Sequence, residues 1–171
     1  MLITKKSSFL GLLLSGLFLG TTPVPVDAQT ISWKRQLGTS SYDTSNGVAS
    51  DSNGNVYISG STNASLAGDY QGYYQDAWIA KYNNSGNLIW KRQLGSSTSD
   101  ISNGVATDLN GNVYISGSTS GSLAGVNQGG YDAWVAKYNN TGTLMWKRQL
   151  GSSWDDESKD VATDSNGNVY I

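Results

Sequence analysis

The chain has 171 residues, of which 37% are hydrophobic and 14% charged, with 21 glycines and a formal net charge of −2. It contains no cysteine and no histidine, which excludes disulfides, thiolate nucleophiles, haem attachment and zinc sites built on those residues. A faintly acidic chain lacks the basic surface of nucleic-acid-binding proteins, so no nucleic-acid partner is expected.

The N-terminus has the pattern of a secretory signal peptide over residues 1–28. Lys5 and Lys6 precede an uncharged, Leu-rich run at residues 9–20, which is shorter than the roughly 20 residues of a membrane span. Val26-Asp27-Ala28 supplies the small residues of a cleavage site. An uncleaved membrane anchor is the alternative. We expect a bacterial protein that is secreted, periplasmic or on the cell surface, with no membrane span after cleavage.

The rest of the chain is repetitive. Residues 47–60, Gly-Val-Ala-Ser-Asp-Ser-Asn-Gly-Asn-Val-Tyr-Ile-Ser-Gly, return almost unchanged at 104–117 and begin again at 161–171. The hexapeptide Trp-Lys-Arg-Gln-Leu-Gly recurs at Trp33, Trp90 and Trp146. A period of this size is typical of propeller blades rather than of short solenoid turns.

Each complete unit carries four strand signals, which in the first unit are residues 46–51, 55–61, 76–82 and 87–94. Asn and Gly in the short links predict tight hairpins within an antiparallel sheet. The first strand has small residues and suits the crowded inner position, whereas the Trp-bearing fourth strand suits the outer one.

The predicted fold is an all-β propeller within residues 29–171. It comprises an outer strand at 31–38, blades at 46–95 and 103–151, and a partial blade at 160–171. A closed propeller needs about four to eight blades. We therefore expect an incomplete propeller that is a fragment of a longer one, or one completed by self-association through its open blade edges.

Four linked segments, residues 47–51, 54–62, 76–82 and 86–90, resemble the bacterial SBBP repeat. The resemblance implies a seven-bladed β-propeller in an exported or surface-associated protein, with no general activity. A narrower likeness, the spacing of Ala80, Gly86 and Trp90 and its copy ending at Trp146, resembles the tryptophan-docking motif of quinoprotein-type propellers. It implies that Trp90 and Trp146 dock adjacent blades, although Tyr82 and Tyr138 stand where that motif has Asp.

Two groups of acidic residues invite a chemical role. Asp51-Ser-Asn-Gly-Asn55 suggests calcium, but it lacks the Gly and Glu positions of an EF-hand, and an Asx-capped turn is favoured. Asp76 and Asp132 suggest glycoside chemistry, but they recur in equivalent positions, which favours a structural role. We expect no metal site, no cofactor and no catalytic residue.

Residues that break the repeat are the candidate binding site. The segment 69–74, Asp-Tyr-Gln-Gly-Tyr-Tyr, differs from its second copy, and the segment 154–157, Trp-Asp-Asp-Glu, replaces Tyr42-Asp-Thr and Ser99-Asp-Ile of the earlier copies. The candidates are Tyr70, Tyr73, Tyr74, Trp154, Asp155, Asp156 and Glu157, which would contact a carbohydrate or a protein. The leading functional prediction is a non-enzymatic binding or scaffold module. The alternative is a fragment of a carbohydrate-active or quinoprotein-like enzyme.

Overall fold

The computed structural model describes residues 31–171, and all regular secondary structure within that range is β-strand. The predicted signal peptide lies outside the described residues. The strands are β1 Asp43–Ser50, β2 Val56–Thr62, β3 Asp76–Tyr82, β4 Leu88–Leu94, β5 Asp100–Thr107, β6 Val113–Thr119, β7 Asp132–Tyr138, β8 Leu144–Leu150, β9 Ala162–Thr163 and β10 Val169–Tyr170. They form two four-stranded antiparallel sheets, β1 to β4 and β5 to β8, and a two-stranded sheet of β9 and β10.

Each four-stranded sheet is a meander whose neighbouring strands are joined by short turns or loops. Between β1 and β2, the N–H of Gly54 donates to the main-chain oxygen of Asp51 at 3.0 Å, and Gly54 adopts a φ of 75°. Only glycine adopts that conformation without steric cost. The two sheets share one register, so that Gly60 pairs with Trp78 and Gly117 with Trp134. Duplicated sequence has produced duplicated sheets.

The first strand of each sheet contains a β-bulge. The pairing of β1 with β2 shifts between Ser45 and Gly47, and that of β5 with β6 shifts between Ser102 and Gly104. Pairing resumes beyond the bulge, so β1 begins at Asp43 and is longer than the predicted strand at 46–51. The bulge leaves the side chains of Asn46 and Asn103 free to reach the next unit.

The sheets stack face to face as propeller blades. β5 of the second blade contacts β1, β2 and β3 of the first, and the core between them includes Ile79, Trp90, Ile115 and Trp134. The inner strands β1 and β5 are adjacent, as predicted. The Thr107 hydroxyl of β5 donates a hydrogen bond to the Ser50 carbonyl of β1 at 2.9 Å. The protein is an all-β, incomplete β-propeller, and this prediction is confirmed.

One predicted element differs in the structure. Residues 31–38 are not a strand. In the complete blades the fourth strand bonds to a third strand, and within residues 31–171 no such strand lies beside this segment. The predicted partial blade at 160–171 contains the short antiparallel strands β9 and β10, in which Ala162 pairs with Tyr170.

Candidate functional site

The seam between the blades is built around Trp90. Its indole packs on Gly142 in the turn between β7 and β8, where a Cβ atom would lie 2.7 Å from Trp90 Cδ2. The indole N–H donates to the main-chain oxygen of Asn140 at 3.0 Å. Arg92 adds a bond of 2.7 Å from Nε to the Gly142 oxygen. Trp90 is only 7% exposed, and it therefore lies between adjacent blades.

Trp33 makes the same contact on the first blade. Its indole packs against Gly86, and Nε1 donates to the Asn84 oxygen at 3.1 Å. A docking role for Trp33 was not predicted, although Trp33 starts the same repeated hexapeptide as Trp90. Trp146 has the corresponding place on β8, but no third blade covers it in the described residues, and it is only half-buried.

Tyr82 and Tyr138 occupy the positions where the docking motif has Asp. The ring of Tyr138 stacks on Trp90 at a centroid distance of 6.5 Å, and Tyr82 stacks on Trp33 at 6.2 Å. A main-chain carbonyl accepts the indole hydrogen bond in both places. The tyrosines thus contribute apolar area and stacking at the seam.

Asp51 and Asp108 cap the first turn of each blade. Asp108 accepts bonds from the main-chain N–H groups of Asn110 and Asn112, both at 2.9 Å, and from the Asn112 side chain and the Tyr114 hydroxyl. Burial alone would raise the pKa of Asp108, but these hydrogen bonds outweigh burial and hold it below 3.8. The geometry is the Asx turn that the sequence favoured. Within residues 31–171 no cluster of three or more acidic residues is placed to hold a metal ion.

Asp76 and Asp132 are fully buried at the starts of β3 and β7. Oδ2 of Asp76 accepts the N–H of Gln71 at 2.9 Å and the Gln93 amide at 2.8 Å. The Gln93 oxygen in turn accepts the N–H groups of Leu66 and Ala67. These carboxylates hold the loop between β2 and β3, or its copy, against the outer strand. The glycosidase alternative assigned these carboxylates to a substrate, whereas Oδ2 of each accepts hydrogen bonds from the protein itself.

A further buried carboxylate was missed by sequence reasoning. Asp100 begins β5 and accepts bonds from the Thr119 hydroxyl and from the N–H of Ser96, both at 2.5 Å. Burial raises the pKa of Asp100, and the nearby charge of Asp76 raises it further, while these hydrogen bonds oppose the shift. Its recurrence as Asp43 and Asp156 was the available signal.

The candidate binding residues lie on one edge of the blades, which we call the loop edge; it comprises the connections 63–75, 95–99, 120–131 and 151–161. Tyr73 is 94% exposed there and Tyr74 is also exposed, whereas Tyr70 is half-buried. The loop main chain is packed closely, since a Cβ atom at Gly72 would lie 3.0 Å from the Ser97 carbonyl.

The second group of candidates follows β8 on the same edge. Trp154 is 80% exposed. Asp155 accepts the N–H of Tyr131 at 2.9 Å, and Asp156 accepts the N–H and hydroxyl of Ser152 at 2.6 and 2.7 Å. Glu157 forms an ion pair with Lys159. The acids therefore fix the loop, while the indole projects from it. Both groups of candidate residues therefore lie on the loop edge. The loop that carries the tyrosines packs against Ser97, and the loop that carries Trp154 is bonded to Tyr131.

The repeated segments of the chain match a known family of propeller repeats. A model of the SBBP family, described as a beta-propeller repeat, matches residues 32–67, 89–124 and 146–171, together more than half of the chain. The chain belongs to the SBBP beta-propeller repeat family.

The SBBP unit is offset from the blade. The match at 89–124 starts in the outer strand β4 of one blade and includes β5 and β6 of the next. The matches at 32–67 and 89–124 therefore each carry a docking Trp together with the first two strands of the blade that follows. The turn that receives the Trp, at Gly86 or Gly142, lies outside the matched segments.

A curated relative is the "Uncharacterized WD repeat-containing protein L264" of Acanthamoeba polyphaga mimivirus. It is 29% identical over 108 residues, which is 55% of this SBBP chain but only 8% of the relative. The chain thus spans less than a tenth of that protein. Because the relative is viral, the expected bacterial source stays a prediction. Within residues 31–171 the SBBP structure has no helix long and apolar enough to cross a membrane.

A groove on the inner strands was not predicted. It has a volume of about 290 Å³ and is lined by Asn46, Val48, Asn103, Val105, Lys159 and Asp160. Lys159-Asp160 stands where the earlier units have Asn46-Gly47 and Asn103-Gly104. The predicted departures from the repeat were confined to the loops and did not include Lys159 and Asp160.

Proposed function

We propose that this SBBP chain is an exported β-propeller module that acts as a binding or scaffold protein, and that its loop edge contacts a polysaccharide. One observation carries the proposal. Tyr73 and Trp154 are almost fully exposed on loops whose main chains are fixed by buried or hydrogen-bonded carboxylates. Rigid loops that display aromatic rings are suited to binding, because little conformational entropy is lost when a partner docks.

The chemistry of the loop edge favours a sugar polymer. Tyr and Trp rings stack on the apolar faces of sugar rings, and the exposed Asp69, Asp155 and Glu157 offer acceptors for hydroxyl groups. The same acids disfavour nucleic acid through charge repulsion. Exposed aromatic side chains also serve as anchors at protein interfaces, so a protein partner is the competing outcome.

The test is binding of the intact chain to a panel of immobilised neutral and acidic polysaccharides. Trp154→Ala and Tyr73→Ala are each expected to weaken binding by about tenfold. Leu109→Ala is the control, since Leu109 is also highly exposed but lies in the turn between β5 and β6, at the opposite edge. Absence of binding to every polysaccharide, or equal loss in the control, would reject the proposal.

The open blade faces support a second property, self-association. Leu94 packs on the core of the seam, whereas its counterpart Leu150 is 71% exposed on β8, the strand that also carries the half-buried Trp146. Covering this apolar surface with a second copy would remove it from water. We therefore include weak, concentration-dependent self-association in the proposal.

A further inference from the structure

The groove on the inner strands has the features of a ligand subsite. Three consecutive units contribute to it, through β1, β5 and the segment that leads to β9. Its volume of about 290 Å³ is at the lower end of the range for small-molecule pockets. None of the exposed aromatic residues of the loop edge lines this groove, although Lys159 and Asp160 lie at the end of the connection 151–161.

Two amide groups in the groove are held in fixed orientations. The side-chain N–H of Asn46 donates to the Ser102 carbonyl at 2.9 Å, and that of Asn103 donates to the Ser158 carbonyl at 2.9 Å. Because each nitrogen is directed at the neighbouring unit, each Oδ1 serves as an acceptor that is turned away from that bond. The β-bulge places both asparagines, so the acceptors repeat with the spacing of the blades.

The third unit adds charge to the groove. Asp160 replaces glycine, and its Oδ1 accepts the N–H of Val161 at 2.8 Å and lies against Gly104. Lys159 is paired with Glu157. With one ammonium group and two carboxylates, the local charge is negative. An anionic ligand is therefore disfavoured, and a ligand that presents hydrogen-bond donors is favoured.

An exposed apolar side chain accompanies these polar groups. Val48 is largely exposed in the groove although it lies in the inner strand, whereas its counterpart Val105 is buried. Fixed acceptors beside an apolar surface match a sugar ring, which has hydroxyl groups around its rim and a C–H face.

We propose that the groove binds a single neutral or amino sugar unit, with the amino sugar preferred. This inference rests on the proposed polysaccharide function and adds to it a second subsite, on the inner strands. Asn46 and Asn103 accept hydroxyl groups, Asp160 accepts the ammonium or a hydroxyl group, and Val48 contacts the ring face.

The test titrates the intact chain with glucosamine, glucose and glucuronic acid, and follows binding by NMR. Affinities in about the millimolar range are expected, in the order glucosamine, glucose, glucuronic acid. Asp160→Gly restores the residue found in the two earlier units and is expected to remove most of the preference for glucosamine. Asn46→Ala is expected to weaken glucose and glucosamine alike, by about threefold or more.

The outcomes separate this subsite from the loop edge. Leu109→Ala should leave binding of the monosaccharides unchanged, because Leu109 lies outside both the loop edge and the groove. Unchanged selectivity in Asp160→Gly, preference for glucuronic acid, or loss of monosaccharide binding in Leu109→Ala would each overturn the subsite on the inner strands. Failure of the polysaccharide panel alone would reject only the loop edge.

Discussion

The indole nitrogen of Trp90 donates a hydrogen bond of 3.0 Å to the carbonyl oxygen of Asn140, fifty residues further along the chain. The same relationship joins Trp33 to Asn84 at 3.1 Å. A repeated contact of this kind ties the outer strand, or its equivalent, to a turn in the following blade. A tryptophan that docks against the following blade should therefore contribute more to the free energy of unfolding than one that does not.

Replacing Trp90 with alanine is expected to lower the free energy of unfolding by about 3–5 kcal/mol, because a buried ring and a hydrogen bond are lost. Trp146→Ala is the matched control. Its ring is half-buried and packs on Tyr114 of its own blade, and within residues 31–171 no further blade covers it, so the loss should be about 1–2 kcal/mol. Urea denaturation followed by circular dichroism measures both. Equal losses for the two variants would contradict the docking role.

Gly142 is required for two separate reasons, its φ of 79° and its contact with the Trp90 ring. Gly142→Ala should destabilise the fold through left-handed strain of about 1–2 kcal/mol and through displacement of the indole as well. Gly111→Ala measures the backbone strain alone, because Gly111 has a φ of 76° but its Cβ would lie 3.6 Å from the nearest atom. Thermal unfolding of both variants should show the larger loss at Gly142, and a larger loss at Gly111 would argue against the contact.

Asp108 should make the stability of the fold depend on pH. Its lowered pKa means that the native state holds the proton less tightly than the unfolded chain does. The stabilisation is therefore present above about pH 3.8 and is lost as the pH falls through the lower, folded-state value. Asp108→Asn should destabilise at pH 7, and its difference from the wild type should shrink below pH 3.8.

The control for this pH effect is Asp164→Asn. Asp164 makes the same turn bonds in the third unit, but its residue is not buried. Solvent screening should make its contribution smaller at every pH. Unfolding curves collected between pH 2.5 and 7 give the comparison; a pH-independent penalty in Asp108→Asn would show that the carboxylate charge is not involved.

Leu150→Lys should reduce self-association, because it places a charge on the apolar surface that the second blade leaves open. Sedimentation velocity over a range of concentrations measures the effect. Leu109→Lys is matched in residue type and exposure but lies in a turn, and it should sediment like the wild type. Association that survives Leu150→Lys would place the contact elsewhere.

Export predicts a defined mature end. Mass spectrometry of the protein recovered from the medium or periplasm of an expressing bacterium should show Gln29 as the first residue. Ala28→Pro, which disrupts the expected cleavage position, should leave the longer, cell-associated form. Recovery of intact Met1 on exported protein would reject the signal-peptide interpretation.

The strands were predictable because they follow from local pattern. Alternation in residues 76–82 and the Asn-Gly turns specified the hairpins, and β3 has the predicted bounds. The segment at 31–38 has the sequence of an outer strand, but a strand also needs a partner, which no local pattern reveals. β1 begins at Asp43, before the predicted start at residue 46, because pairing with β2 continues beyond the bulge at Asn46. Local sequence pattern does not reveal that pairing either.

The candidate site was predictable only in part. Exposure of Trp154 and Tyr73 agrees with a loop assignment, but the structural use of Asp155 and Asp156 depends on neighbours such as Tyr131. Burial of Asp76 arises from the loop that folds over it. Asp160 was visible in the sequence as a departure from Gly47 and Gly104, but its contact with the groove required the stacking of three units.

The offset between the SBBP unit and the blade has an evolutionary consequence. Unequal recombination between two copies of the coding repeat would exchange DNA within the repeated hexapeptide Trp-Lys-Arg-Gln-Leu-Gly, which starts at Trp90 in β4 and at Trp146 in β8. Every product of such an exchange retains an indole in front of a compatible turn. Genes of this design can therefore gain or lose whole blades without creating a mismatched junction.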